Sequence, residues 1–149
     1  MSIIKRVSDG DYFVIPLSDG RSAVCQLVWM GRKGESEKFK KIMAFAVLCV
    51  GGGSEVPNNN EYLIFENYRG KYQVIFTAVD KLLSGEWPVI ASGQLQNEKL
   101  LGFEFNMGGT LYRRGEMVRV LSIDEYSAYL NMGVSGFELV DNILIGADK

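Results

Sequence analysis

The longest uninterrupted apolar run in the chain, residues 42–50, has nine residues and stops at Gly51-Gly52-Gly53. A membrane helix needs about 20 apolar residues, so no segment of this sequence reads as a membrane span. A short apolar run closed by glycines reads instead as a fully buried strand. The rest of the chain keeps to the same short scale. Asp9-Gly10-Asp11 is a turn signal, and Tyr12-Phe13-Val14-Ile15 is the β-branched and aromatic run of a strand. Pro16 cannot donate to a ladder and marks a strand end or an edge. Ser18-Asp19-Gly20-Arg21 makes a second turn, after which Ala23, Cys25, Leu27 and Trp29 alternate on one face of the next strand. Together these residues predict a β-hairpin.

Further short strands are expected at 62–65, 72–79 and 87–90, around the Gly108-Gly109 turn, at 117–121, and finally at 137–145. Residues 80–85 read as a helical turn. Ser122-Ile123-Asp124-Glu125 fits a capping box; Tyr126 and Leu130 then share a helix face, and Gly133 supplies the stop. Residues 31–41 and 51–61 are polar connections. The expected fold is mostly β (α+β): a strongly bent antiparallel sheet or a partly open small barrel, with one or two short helices, in a single domain over residues 1–149.

Of the 149 residues none is histidine. That removes Ser-His-Asp and Cys-His nucleophile arrangements and histidine-based metal centres. The net charge of −2 lacks the basic excess of a general nucleic-acid binder. Cys25 and Cys49 lie in apolar runs and read as reduced core thiols. No long apolar segment follows Lys5-Arg6, so a secretory leader is not expected, and the chain is expected in a reducing cytoplasm.

No constellation announces a reaction. Asp9, Asp11 and Asp19 lack the spacing of a calcium loop and read as turn residues. The 51–61 loop is glycine-rich but lacks the Gly-Lys-Ser/Thr ending of a phosphate loop. Asp80 and Glu86 flank a turn without further support for acid–base work. Arg113-Arg114, with Tyr112 and Arg119, reads as a solvated strand face, and Trp87 as a core-edge tryptophan beside Pro88. Charge is uneven: residues 1–50 carry +3, residues 51–100 carry −2 and residues 101–149 carry −3. The acidic last third includes Glu116, Asp124, Glu125, Glu138 and Asp141.

The segment Gly10-Asp11-Tyr12-Phe13-Val14-Ile15-Pro16-Leu17, followed by Asp19-Gly20-Arg21, resembles the opening of the immunity protein 26 family of bacterial polymorphic toxin systems. Gly85-Glu86-Trp87-Pro88-Val89-Ile90 is similar to a second stretch of that family. The resemblance covers about half of the chain and leaves the 51–61 loop unmatched. It implies a non-enzymatic cytoplasmic protein that binds and neutralises a cognate toxin domain. No cofactor, metal, membrane or nucleic-acid partner is then expected, and no catalytic residue.

Two other readings stand beside it. A Gly-Asp opening also begins SH3-like-barrel ribonucleases of toxin–antitoxin systems, which need a positive groove. Some relatives carry a phosphotriesterase label, whose metal chemistry a chain without histidine does not support. For a toxin binder, the acidic last third is the expected contact face. Its candidates are Asp124 and Glu125 in the first helical turn, Tyr129 as an aromatic hot spot, and Glu138. Asp141, three residues on, would face the other way in a strand. The polar loop with Asn58, Asn59 and Asn60 is the second candidate.

Overall fold

The computed structural model describes residues 7–31, 37–53, 55–57, 61–68 and 70–147. Strand β1 (Tyr12–Pro16) pairs antiparallel with β2 (Ser22–Met30), forming the hairpin predicted from the sequence. Gly10 enters it at φ +97°. A Cβ at Gly10 would lie 2.7 Å from the carbonyl oxygen of Gly93, so close approach and positive φ both demand glycine. The Gly10 amide donates to the Leu27 carbonyl at 2.6 Å, and the Asp11 carboxylate accepts from the Ser8 amide at 2.9 Å. The Gly-Asp pair is thus a turn device.

Strand β3 (Ile42–Gly51) lies beside β2 and is buried on both faces, as its continuous apolar run predicts. Two register shifts bend this pair. At the first, Leu48 is the extra residue, so Cys49 sits opposite Val24 while Cys25 sits opposite Val47. The two thiols therefore face opposite sides of the sheet; Cys25 is buried, Cys49 is half-buried, and both are free. At the second, Val28 is the extra residue. Leu27 stays on one face with Phe45, and Trp29 moves to the other with Ala44. The strict alternation expected from Ala23 to Trp29 is broken by that bulge.

The remaining strands are β4 (Phe65–Asn67), β5 (Gly70–Tyr72), β6 (Val74–Ala78), β7 (Val89–Ala91), β8 (Glu104–Met107), β9 (Thr110–Arg113), β10 (Glu116–Val120) and β11 (Val134–Ser135). They form a six-stranded sheet in the order β11-β6-β3-β2-β1-β7, a three-stranded sheet β10-β9-β8 and a β4-β5 ribbon. The fold is mostly β with an α+β character, and it does not close into a barrel. The large sheet is mixed rather than antiparallel, because β11 runs parallel to β6. A long return through residues 114–133 delivers β11 in that direction.

Helix α1 (Asp80–Ser84) matches the expected helical turn and ends on Gly85 at φ +88°. Helix α2 (Glu98–Leu101) and helix α3 (Phe137–Ile145) add to it, as do 3₁₀ turns at Glu37–Phe39 and Ile123–Ala128, so helix is more plentiful than expected. Helix α3 replaces the strand predicted at 137–145. Val140 and Leu144, four residues apart, are fully buried against the sheet. That spacing is helical, and the apolar content of the segment masks it.

The core has two main layers. On one face of the large sheet, Phe13, Phe45 and Trp87 pack under Val140 and Leu144 of α3. On the other, Trp29, Phe39, Phe76, Phe105 and Tyr112 join the large sheet to the small one. Trp29 lies 5.3 Å from Phe105, which stacks on Tyr112 at 5.6 Å. Helix α3 and the β8–β10 sheet therefore cover opposite faces.

Candidate protein-binding surface

The β9–β10 hairpin turns at Arg114-Gly115, with φ of +49° and +86°. Tight two-residue hairpin turns of this kind need positive φ at both central residues. Arg114 is the only non-glycine residue with positive φ among those described, and both terminal nitrogens of its guanidinium are engaged. It donates to the Leu100 and Leu101 carbonyls at 2.6 and 3.2 Å, to the Val28 carbonyl, and to Asp9 at 2.6 Å. The side chain ties the hairpin tip to the end of α2 and to β2. A shallow cavity of about 360 Å³ beside it is lined by Asp9, Gln94, Leu95, Leu101 and Arg114. One oxygen of Asp9 is buried there without a hydrogen-bond partner; the other is spent on Arg114. This ion pair is a clasp rather than reactive machinery. Arg113 pairs with Glu104 at 2.6 Å. The neighbouring arginines thus point to different partners and do not form a free basic patch.

Strand β10 follows, and all five of its residues are exposed. It has β9 on one side, and no described strand lies on the other. The opposite edge of this small sheet is covered: Asn106 of β8 donates its amide to Leu130 at 2.7 Å and accepts from the Met132 amide at 2.8 Å. Val118 is an extra residue in the β9–β10 register, which twists the free edge. The strand is also unusually apolar for its exposure. Met117 is 65% exposed, Val118 43%, Val120 69%, and Ile123 just beyond it 81%. Isolated exposed apolar side chains are ordinary, but four within one short stretch make this edge the candidate contact region; Met117 and Val120 lie on the same side of the sheet as Tyr112.

The acidic turn predicted from the sequence lies beside this strand. Its Ser122–Glu125 capping box is present, with the Glu125 carboxylate accepting from the Ser122 amide at 3.1 Å. The helix is 3₁₀ and stops at Ala128, well before Gly133. Tyr126 packs over the β8–β9 turn, where a Cβ on Gly109 would lie 2.4 Å from its hydroxyl. Arg119 of β10 donates to both Glu125 oxygens, at 3.0 and 2.7 Å, and lies 3.4 Å from the Tyr129 hydroxyl. The Arg119 hydrogen bonds, followed by that of the Ser122 amide, hold the Glu125 carboxyl at about 2. Glu125 and Tyr129 therefore clamp the turn onto β10, while Asp124 is exposed beside them.

The structure thus brings Asp124, Glu125 and Tyr129 together and gives them different roles. Glu138 is exposed on α3, beyond the opposite face of the large sheet, and does not join them. In a helix Glu138 and Asp141 share a side, unlike the opposed placement expected of a strand. Asp141 is occupied: it accepts from the Ser18 amide at 2.9 Å and the Ser18 hydroxyl at 2.6 Å, pinning α3 to the first hairpin. Asn58, Asn59 and Asn60 lie outside the described residues. The apolar contribution of Met117, Val118, Val120 and Ile123 was missing from the sequence-based site. The available signal was apolar residues on both parities of one strand, more than a half-solvated edge requires.

The other candidates fall into the scaffold. Asp19 pairs with Arg21 at 2.8 Å within its turn. Trp87 is buried and stacks on Phe13 at 6.1 Å. Glu86 bonds locally to Ser84, and Asp80 is exposed in the first turn of α1. No three metal-ligating side chains converge among the described residues. No described helix is long and apolar enough to cross a membrane. Comparisons of the chain with family models, with curated proteins and with solved structures find no match.

Proposed function

We propose that this chain is an immunity protein that binds a cognate bacterial toxin domain in the cytoplasm and neutralises it without catalysis. The observation that carries this reading is the set of exposed apolar side chains along β10 and at the start of the adjoining 3₁₀ turn, at the outer edge of the β8–β10 sheet. Exposed apolar side chains at a sheet edge are the kind of feature that protein recognition uses.

The resemblance to the immunity protein 26 family supports the same reading. Its two stretches pack on each other: Phe13 stacks on Trp87, and the Val14 amide donates to the Pro88 carbonyl at 3.0 Å. The resembling residues build a scaffold, and a different part of the chain carries the partner face. The ribonuclease alternative draws less support. Its groove needs a cluster of free cations, and the arginines do not supply one: Arg21 pairs with Asp19, Arg113 with Glu104, Arg114 with Asp9, and Arg119 with Glu125.

The test is to purify the chain together with the C-terminal domain of the protein encoded by the neighbouring gene, which this reading expects to be a toxin, then measure complex formation and toxin activity. A stable complex with loss of toxin activity is expected, and Met117→Ser with Val120→Ser weakens it. RNA or phosphoester cleavage by the purified chain, or growth arrest when it is expressed alone, would replace this reading with an enzymatic one.

A further inference from the structure

We infer that β10 takes its partner by strand addition: an extended segment of the partner protein pairs antiparallel with the free edge, with a basic residue across from Glu116 and apolar residues across from Met117 and Val120. This deepens the reading that the chain binds a protein through β10, and rests on it. The backbone comes first. Arg113 and Glu116 close the two-residue turn at Arg114-Gly115, and a turn of that kind is closed by a hydrogen-bonded pair. At the other end of the strand the Leu121 amide donates to the Gly109 carbonyl at 2.8 Å. Antiparallel ladders alternate, so the N–H and C=O groups of Met117 and Val120, just inside those two ends, point away from β9. Among the described residues nothing beyond β9 hydrogen-bonds to either. The extra residue, Val118, is taken up on the β9 side. Met117 lies across from Tyr112 and Val120 across from Thr110, which are two residues apart in β9. The free groups of Met117 and Val120 therefore keep the two-residue step at which an ordinary strand presents its own.

Side chains select the segment. The register puts Met117 and Val120 on the face of Tyr112, and Glu116 and Arg119 on the other face with Arg113 and Leu111. On that second face Glu104, Arg113 and Glu116 stand side by side across β8, β9 and β10. Arg113 gives its Nε and a terminal nitrogen to Glu104, at 3.1 and 2.6 Å. Glu116 forms no ion pair among the described residues. The row alternates in sign and reaches the free edge on a carboxylate, so the complementary next member is a cation. Arg119 is neutralised by Glu125 at 2.7 Å and needs no counter-charge. On the Tyr112 face Met117 is 65% and Val120 69% exposed, and apolar cross-strand neighbours would cover them. An added strand meets both faces at once, because its side chains alternate as those of β10 do. Main-chain bonds then supply affinity and the alternation supplies specificity.

The test has two arms. In the first, the probe is the end-capped peptide Thr-Val-Thr-Val-Lys-Thr, followed by backbone amide NMR and hydrogen exchange of the full chain. In antiparallel register its valines lie across from Val120 and Met117, and its lysine across from Glu116. Perturbation of residues 116–121 is expected, with slowed exchange of the Met117 and Val120 amides. Glutamate in place of the peptide lysine is expected to weaken binding roughly fivefold at low salt, and Glu116→Lys to reverse that preference. N-methylation of both valines keeps their side chains and removes the two donors, so it is expected to abolish binding. Equal binding of the N-methylated peptide, no preference for lysine, no binding, perturbation centred elsewhere, or protection of these amides by self-association alone overturns the inference. An unshifted thermal midpoint verifies the fold of Glu116→Lys, and the N-methyl comparison needs no variant of the chain. In the second arm the probe is the C-terminal domain of the protein encoded by the neighbouring gene. A complex in which the Met117 and Val120 amides exchange as in the free chain would overturn strand addition while the toxin reading stands. A domain that binds no form of the chain, beside a peptide that binds along β10, would overturn the toxin reading alone.

Discussion

Arg114 is held at φ +49°, a left-handed conformation that costs a non-glycine residue about 1 kcal/mol. Its guanidinium offsets that cost by serving Asp9 and the carbonyls of Val28, Leu100 and Leu101. Arg114→Ala keeps the strained backbone and strips those partly buried acceptors of their donor, so a loss of about 2–3 kcal/mol is expected. Arg114→Gly relieves the backbone and recovers roughly 1 kcal/mol of it. Arg114→Lys behaves like the alanine variant, because a single ammonium does not reproduce a planar fork reaching several acceptors. Urea unfolding midpoints separate the three variants, and a lysine variant at wild-type stability would refute the clasp. Glu125 carries a related lesson. It lies where a contact carboxylate was expected, yet Arg119 and Ser122 occupy it. Reversing its charge together with that of Asp124 therefore disturbs the turn itself.

Among the elements, α3 departs most from what its sequence pattern led us to expect. Residues 137–145 contain Phe, Leu, Val, Ile, Leu and Ile among nine positions, which satisfies a strand period and a helix period at once. The sheet face decides between them. Leu144 is fully buried, whereas Leu139 remains 51% exposed. Leu144→Ala is expected to cost about 3 kcal/mol, through lost burial and the cavity left behind. Leu139→Ala is expected to change stability by no more than ~0.5 kcal/mol. Comparable losses at both positions, measured by denaturant unfolding, would contradict the helix register. Strand β10 is the converse case: its span was evident from the sequence, and its exposure was not. Met117 and Val120 look like core residues in any apolar pattern. They are solvent-facing because β10 stands at the outer edge of the small sheet, away from the aromatic layer that Phe105 and Tyr112 share with the large one.

At the scale of the whole molecule, two distant stretches of chain are fused by aromatic contacts. Trp87 stacks on Phe13 at 6.1 Å and meets Phe45 at 6.2 Å and Phe137 at 5.4 Å edge-on. One ring therefore joins β1, β3, the approach to β7, and α3. Trp87→Ala and Phe13→Ala are each expected to cost about 3–5 kcal/mol. Because the two rings share contacts, their combined effect should fall short of the sum by roughly 1 kcal/mol or more. A double-mutant cycle by chemical denaturation checks this, and strict additivity would mean that the two stretches are stabilised independently. This aromatic centre and the β10 face lie on opposite sides of the large sheet. Scaffold and proposed contact surface are thus spatially separate, and substitutions at Met117 or Val120 do not enter the core.

Local elements whose chemistry allows one outcome were legible from the residues alone. Gly10 and Gly20 at turns, the β-branched run of β1, the unbroken apolar run of β3, Gly85 closing α1, Gly108-Gly109 between β8 and β9, and the Ser122–Glu125 capping box all act over a few residues, and all are in place. The residues also located Asp124, Glu125 and Tyr129 in one neighbourhood. Whatever depended on a distant surface was settled by packing. The bulge at Val28 sends Trp29 to the second layer because an aromatic cluster waits there. The parallel entry of β11 follows from where the long return leaves the chain. Glu138 is set apart from Asp124 because α3 and the small sheet cover opposite faces. Periodicity tells how often a side chain recurs on a face, but only the packed neighbours determine whether that face meets core or water.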